Sequence, residues 1–157
     1  MYRKILVPLD GSKLAECVLP HVEALAKGGQ VQEVILARVH EPFQGFTGAA
    51  DVVMSGREIT RIDSEQIAAA QEYLKEAVNK VRLDGPKPRA ELLTGPVAES
   101  IAEYASKNGV DLIVIATHGR SGVSRWVWGS IADRILRTSC VPVLMVRAPG
   151  CVPGVQG

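Results

Sequence analysis

Residues 111–136 read DLIVIATHGRSGVSRWVWGSIADRIL, where a short apolar run gives way to a glycine-containing loop and then to a helical pattern. The run Leu-Ile-Val-Ile at 112–115 is typical of a parallel strand that is covered on both faces. Gly119 and Gly122 follow it, and glycine permits backbone conformations and close approaches that a side chain would forbid. The stretch therefore predicts a central strand that ends in a ligand-binding loop.

A helix is predicted after this loop, because Ile131, Ile135 and Leu136 recur at helical spacing behind Gly129 and Ser130. Ser130 then lies at or beside the helix N-cap, where free N–H groups and the helix dipole favour a phosphate group. Glycine-rich connections with a capping serine are also common without any ligand, and the stretch matches neither the Walker A nor the GxGxxG pattern. These residues alone leave both interpretations open.

Four further segments have the composition of strands, namely residues 5–7, 31–40, 90–94 and 142–146. Helical patterns separate the five strands, so the chain order is βαβαβαβαβ. This order predicts an α/β fold with a doubly wound, five-stranded parallel sheet and helices on both faces. Strand 90–94 is expected at an edge because it is short and flanked by prolines, and the last strand is also placed at an edge.

The sequence also predicts the conformation of two segments that connect strands. Pro20 lies inside the helical pattern of residues 14–25, so this helix is predicted to bend there. Residues 41–62 lose periodicity and are predicted to form a long loop, for which a lid and an inert insertion are both considered. The next helix is expected to begin at Ser64 and to end before Gly85.

Asp10 stands directly behind the first strand, in the sequence PLDGS. Ligands of open parallel sheets bind at the carboxyl ends of the strands, particularly where neighbouring connections diverge to opposite faces. Asp10 is therefore a candidate ligand contact. The alternative is that its carboxylate only caps the turn, as aspartate often does.

Gly119, nine intervening residues and then Gly129-Ser130 resemble the nucleotide loop of the universal stress protein family, in its ATP-binding branch. Ala116 stands where that loop has its first glycine. The resemblance extends to the opening MYRKILVPLDGS and the closing CVPVLMVRAP, so it covers nearly the whole chain. It implies one Rossmann-like domain of the adenine nucleotide alpha hydrolase-like type over residues 1–148, with a flexible tail at 149–157. It also implies a homodimer formed through the C-terminal edge strand.

The resemblance further implies a stress-response or signalling module that binds ATP, with or without Mg²⁺. Asp10 and the end of the second strand would contact adenine or ribose, and the loop and the following helix N-terminus would surround the phosphates. The residues that this assigns to the nucleotide are Pro8, Leu9, Asp10, Ala37, Val39, Ala116, Thr117, His118, Gly119, Arg120, Gly129, Ser130 and Ile131.

Two alternative functions remain beside nucleotide binding. A nucleotide hydrolase would use the same pocket, with His118 as the titratable group of the loop. The loop holds no cluster of carboxylates that would position a metal and a water molecule, which argues against dedicated catalysis. The other alternative is an interaction protein that keeps the fold and acts through its dimer surface without the ligand.

Length, composition and net charge limit the number of domains, the kinds of partner and the compartment that we expect. With 157 residues, 46% of them hydrophobic, the chain fits one domain. A net charge of +1, from 18 basic and 17 acidic residues, argues against a nucleic-acid or membrane-surface partner. The first apolar run is too short for a signal or membrane segment, so the cytoplasm is expected. The three cysteines, Cys17, Cys140 and Cys151, lack metal-ligand spacing and are interpreted as reduced thiols.

Overall fold

The computed structural model describes residues 2–28, 30–42, 55–117 and 130–147. The helices and strands alternate along the chain as the sequence predicts. The strands are β1 (Lys4–Pro8), β2 (Glu33–His40), β3 (Pro88–Thr94), β4 (Leu112–Thr117) and β5 (Val143–Arg147). The helices are α1 (Leu19–Lys27), α2 (Gly56–Lys80), α3 (Val97–Lys107) and α4 (Ser130–Thr138), and a 3-10 turn at Ala15–Val18 precedes α1.

The five strands form one parallel sheet in the order β3-β2-β1-β4-β5. This confirms the predicted doubly wound α/β fold, with β3 and β5 at its two edges. From β1 the chain crosses to β2 on one side, while β4 lies on the other side. The connections therefore diverge between β1 and β4, which is where such sheets place a ligand crevice at their carboxyl ends.

Two apolar cores lie on the two faces of the sheet, because successive side chains of a strand point to opposite faces. Ile5, Val7 and Leu36 pack against α1 and α2 on one face. Leu6 and Ala37 pack against α3 and α4 on the other. The strands of the sheet interior are buried on both sides, which explains why β4 appears in the sequence as an uninterrupted apolar run.

The predicted bend at Pro20 is wrong. A 3-10 turn ends at Val18, a new helix begins at Leu19, and Pro20 falls in the first turn of that helix. The N–H groups of a first helical turn have no partner inside the helix, so proline costs no hydrogen bond at this position.

The predicted start of the second helix is also wrong. Helix α2 begins at Gly56, so residues 56–62 of the expected loop are helical, and residues 43–54 lie outside the described residues. The cause is a capping box: the Ser55 hydroxyl accepts a hydrogen bond from the Glu58 amide at 3.3 Å, and the Glu58 carboxylate accepts one from the Ser55 amide at 3.0 Å. None of the described helices is both long and apolar enough to cross a membrane.

The opposite, amino-terminal end of the sheet is tied by Asp111, which directly precedes β4. Its carboxylate accepts hydrogen bonds from the Arg3 amide at 2.9 and 3.1 Å and from the Lys4 amide at 3.2 Å. The Asp111 amide donates to the Lys4 carbonyl at 3.0 Å. These contacts join the starts of β1 and β4 and so set the register on which the carboxyl ends of the two strands depend.

Candidate functional site

The ends of β1 and β2 lie side by side at the carboxyl edge of the sheet. Pro8 is paired in register with Ala37, and the Leu9 amide donates a hydrogen bond to the Ala37 carbonyl at 2.8 Å. Leu9 and Ala37 are buried, and Val39 is partly buried on the same face as Ala37. The structure thus brings the strand ends that carry four predicted nucleotide contacts to one edge of the sheet, with the Leu9 side chain on the α1 and α2 face and those of Ala37 and Val39 on the opposite face.

Asp10 begins a tight turn at this edge of the sheet. Its carboxylate Oδ1 accepts a hydrogen bond from the Ser12 amide at 2.8 Å, and the Ser12 hydroxyl accepts one from the Ala15 amide at 3.1 Å. Gly11, between them, has a φ of +92°, which favours glycine. No described residue donates to the Oδ2 oxygen of Asp10, whose side chain is exposed. Asp10 therefore caps the turn, as the alternative predicts, and keeps one oxygen available to a ligand.

The end of β4 lies at the same edge of the sheet as Asp10. Strands β1 and β4 are paired through Ile5 with Leu112 and Leu6 with Ile113, and β4 continues to Thr117. Thr117 is buried, and its hydroxyl donates to the Val146 carbonyl of β5 at 3.5 Å. Because the Thr117 hydroxyl has this partner, its part in a ligand site would be to shape the wall of the crevice.

Helix α4 begins at Ser130, the residue expected at or beside the N-cap. The next residue, Ile131, is 44% exposed. Asp133, in the first turn, would repel an anion, but its carboxylate accepts a hydrogen bond from the Arg137 guanidinium at 2.9 Å. This ion pair compensates the negative charge next to the helix N-terminus.

Four of the predicted contacts lie outside the described residues, namely His118, Gly119, Arg120 and Gly129. Their assignment to the phosphates stays a prediction. The described site therefore consists of the ends of β1, β2 and β4 and the beginning of α4.

Two residues at this edge were not among the predicted contacts. The guanidinium group of Arg38 lies against Gly11: a Cβ atom at Gly11 would fall 2.9 to 3.1 Å from its Nη1, Cζ and Nη2 atoms. The same group lies 5.4 Å from the centre of the Tyr73 ring of α2, a cation–π contact. In the sequence, Arg38 stands out as a charged residue inside the apolar run of the second strand. Its contacts, Gly11 and Tyr73, are remote from it along the chain.

Tyr73 itself is in an acidic setting. Its hydroxyl oxygen is buried and has no hydrogen-bond partner among the described residues. Burial raises the pKa of the Tyr73 phenol well above its usual value, and the nearby carboxylates of Glu16 and Asp10 raise that pKa further. The charge of Arg38 therefore lies in a region where two carboxylates complement it.

The turn from β3 into α3 reaches the same edge, and its residues were not among the predicted contacts. The Gly95 amide donates to the carbonyl of His40, the last residue of β2, at 3.0 Å. Gly95 has a φ of +124°, and a Cβ atom there would lie 3.0 Å from the Ser100 hydroxyl. The Gly-Pro pair behind the third strand is the signal that marks this turn in the sequence.

The positions of the His, Cys, Asp and Glu side chains decide whether the described residues could bind a metal ion. Across residues 2–28, 30–42, 55–117 and 130–147, no three His, Cys, Asp or Glu side chains are grouped so that they could hold a metal ion. Asp10, at the carboxyl edge of the sheet, offers one oxygen without a partner among the described residues. A cation at this edge would therefore need further ligands from a bound molecule.

These features define a doubly wound, Rossmann-like α/β protein whose connections diverge at the carboxyl ends of β1 and β4. The model of the universal stress protein family matches residues 1–147. The chain therefore belongs to the universal stress protein family.

Individual relatives agree with this assignment. The chain is 32% identical to universal stress protein MJ0531 of Methanocaldococcus jannaschii, over 95% of this chain and 84% of that protein. It is 30% identical to universal stress protein MJ0577 of the same organism, over 94% of this chain and 96% of that protein. The solved structure of MJ0577 superposes with a TM-score of 0.75 and 27% identity, covering 96% of this chain and 99% of that one.

A solved structure with a bound nucleotide shares the fold. The universal stress protein of Archaeoglobus fulgidus in complex with dAMP superposes with a TM-score of 0.60 and 24% identity. The match covers 92% of this chain and 97% of that one.

Proposed function

We infer that this protein binds an adenine nucleotide, ATP in the first place, and acts in the cytoplasm as a stress-response or signalling module. The observation that carries the proposal is the unpartnered Oδ2 oxygen of Asp10, held at the point where the connections of the sheet diverge. A carboxylate oxygen beside the apolar ends of two strands suits a sugar hydroxyl next to a flat base. The dAMP complex of the Archaeoglobus protein supports an adenine nucleotide as the ligand class.

Each part of the nucleotide has a counterpart at this edge. The partly buried Val39 and the backbone of Leu9 and Ala37 at the strand ends would contact the adenine, and Asp10 Oδ2 would accept a hydrogen bond from a ribose hydroxyl. The amides at the N-terminus of α4, beginning at Ser130, would bind phosphate oxygens together with Gly119, Arg120 and Gly129 of the preceding loop. Mg²⁺ would enter with the phosphates that it ligates.

Isothermal titration with ATP, with and without Mg²⁺, tests the proposal. Saturable binding of one nucleotide per chain is expected. The sequence supplies a pair of variants for the phosphate end: Gly129→Val should weaken binding sharply through steric exclusion. Ser130→Ala should weaken it less, because the helix amides and dipole remain. A thermal melt of each variant controls for misfolding, and absence of binding by the parent protein at millimolar ATP would refute the proposal.

Binding without dedicated catalysis is the form of the function that we favour. No carboxylate cluster accompanies His118 in the loop, so no metal and water molecule would be positioned for hydrolysis. The rate of ATP hydrolysis should stay at background and should not change in His118→Ala. A turnover that exceeds background and depends on His118 would establish the hydrolase alternative instead.

We further infer that two copies associate through the outer edge of β5. The Ile113 amide of β4 donates to the Pro142 carbonyl at 2.9 Å, so the backbone groups of Leu144 and Val146 face β4. The N–H groups of Val143 and Met145 then point away from the sheet, and Leu144 is 38% exposed beside them. An uncovered apolar edge of this kind favours pairing with a second copy.

A proline substitution at Met145, whose partly buried side chain packs against the second core, tests this edge. Met145→Pro removes an outward N–H group, and proline is tolerated on edge strands. Sedimentation equilibrium should report a dimer for the parent protein and a monomer for Met145→Pro, with unchanged far-UV circular dichroism. A variant that remains dimeric would place the interface elsewhere. A monomeric parent would refute the dimer itself.

A further inference from the structure

Arg38 occupies an unusual position for a charged residue. It lies in the interior strand β2, between Ala37 and Val39, and it points to the α2 face while those two point to the α3 and α4 face. Its side chain is partly buried. Within the described part of the chain, the Arg38 guanidinium makes no hydrogen bond or ion pair with another residue. Its defined contacts are Gly11 and the ring of Tyr73.

The flat face of the Arg38 guanidinium lies against the backbone of Gly11. A Cβ atom on Gly11 would lie 2.9 Å from Nη1, 3.0 Å from Cζ and 3.1 Å from Nη2 of Arg38, so the three distances are almost equal. The planar group thus covers the side of Gly11 on which any other residue would carry its side chain. With a φ of +92°, Gly11 has a backbone conformation that other residues rarely adopt.

The ring of Tyr73, in helix α2, is the second contact of the Arg38 guanidinium. It belongs to α2 and packs against the core formed with α1, next to the fully buried Leu74. An arginine over an aromatic face is attracted by the ring and loses little freedom, since both groups are planar. Arg38 therefore links a rigid helix to the turn that carries Asp10.

We propose that Arg38 is a positioning residue for nucleotide binding, because its guanidinium, held on Tyr73, keeps the turn at Gly11 in the conformation that aims Asp10 at the ligand. This rests on the proposed function, in which Asp10 accepts a ribose hydroxyl. Among the described residues the Ser12 amide is the only donor to the Asp10 carboxylate, so the direction of that carboxylate depends on the conformation of the turn at Gly11. Arg38 acts on the nucleotide through Asp10 and does not contact it.

The first measurement needs no nucleotide. Amide hydrogen exchange of Ser12, followed by NMR in the full chain, reports the hydrogen bond to Asp10. In Arg38→Ala the exchange should become about tenfold faster, the change expected when a partly desolvated cation–π contact is lost. Tyr73→Phe keeps the ring and should exchange like the parent protein. Arg82→Ala, which removes an exposed arginine just after the end of α2, is the matched charge control.

The second measurement separates positioning from a general loss of stability. Titration with ATP is carried out on Arg38→Ala, Asp10→Ala and the double variant. Arg38→Ala should weaken binding about tenfold in the parent background and should have no effect once Asp10 is absent. Should Arg38→Ala fold poorly, Tyr73→Leu removes the ring and leaves the arginine, and it should show the same dependence on Asp10.

The outcomes are distinct. Parent-like Ser12 exchange in Arg38→Ala, or additive effects of Arg38→Ala and Asp10→Ala on ATP affinity, would overturn the positioning role while nucleotide binding stands. If the parent protein does not bind ATP, the proposed function fails and this inference falls with it.

Discussion

Asp10 and Ser12 are joined by a hydrogen bond of 2.8 Å between the Asp10 carboxylate Oδ1 and the Ser12 amide. The bond fixes the direction of the carboxylate at the end of β1 and leaves the second oxygen toward solvent. One side chain thereby serves the turn and the candidate ligand site at once. The two roles can be separated by substitution, because asparagine retains an oxygen in the Oδ1 position and loses the charge.

Asp10→Asn should therefore melt like the parent protein and bind ATP about tenfold more weakly, since a charged acceptor is lost. Asp10→Ala should lose affinity as well and should also be less stable by about 1 kcal/mol, because the amide of Ser12 loses its acceptor. Calorimetric titration and a thermal melt measure the two effects. Equal stability of both variants would show that the turn does not depend on this hydrogen bond.

Tyr73 should tolerate loss of its hydroxyl. The oxygen is buried without a hydrogen-bond partner among the described residues, so Tyr73→Phe should leave the free energy of unfolding unchanged or raise it by up to about 1 kcal/mol. Tyr73→Ala should lower it by about 2 kcal/mol through lost packing against the first core. Urea denaturation of the three proteins decides this. A clearly destabilised Tyr73→Phe would mean that the hydroxyl has a partner, with Glu16 the first candidate.

Asp111 should matter for stability although it is remote from the site. Its carboxylate accepts from the amides of both Arg3 and Lys4, so Asp111→Ala should lower the free energy of unfolding by about 1 kcal/mol. The exposed Asp84 provides a control of equal charge, and Asp84→Ala should have little effect. Equal unfolding midpoints in urea for the two variants would contradict a role of Asp111 in joining β1 and β4.

The start of α2 should depend on pH. Hydrogen bonds from the Ser55 side chain and backbone hold the pKa of the Glu58 carboxyl below its usual range. Because the folded pKa is lowered, the capping box stabilises the helix above the unfolded pKa of about 4.3, and this contribution is lost as the pH falls through the folded pKa. Helicity near residues 56–60 should therefore decrease on acidification.

Amide exchange of Ile59, whose N–H donates to the Ser55 carbonyl at 3.1 Å, can follow this loss between neutral and acidic pH. In Glu58→Gln the pH dependence should be absent. If Ile59 responds to acid equally in both proteins, another group controls the start of the helix.

Much of the fold could be predicted because its signals are local. The apolar runs of β2 and β4, and the Gly-Pro and Asn-Gly pairs around α3, sit beside the elements they define. The start of α2 was misplaced although the pattern Ser55-x-x-Glu58 was present, because glycine and charged residues around it suggested a loop. Pro20 was misplaced because the sequence does not distinguish a kinked helix from a helix that begins at the proline.

One part of the candidate site could also be predicted from the sequence, and another part could not. The strand ends that carry Asp10 and Ala37 follow from the parallel order, since carboxyl ends meet at one edge. The contact of Arg38 with Gly11 and Tyr73 joins three separate elements and depends on which face each strand residue points to. No spacing along the chain encodes it, so it became visible only in the assembled fold.

The central claim is that an adenine nucleotide binds at the carboxyl edge of the sheet, and amide chemical shifts during an ATP titration test it most directly. Addition of ATP should shift the amides of Leu9, Asp10, Val39, Thr117 and Ile131, which surround the crevice. The amides of Arg3, Gln32 and Asp111, at the opposite end of the same strands, should not move. Saturable shifts confined to the first group are the predicted result, and unchanged spectra, or shifts centred on the second group, would contradict the account.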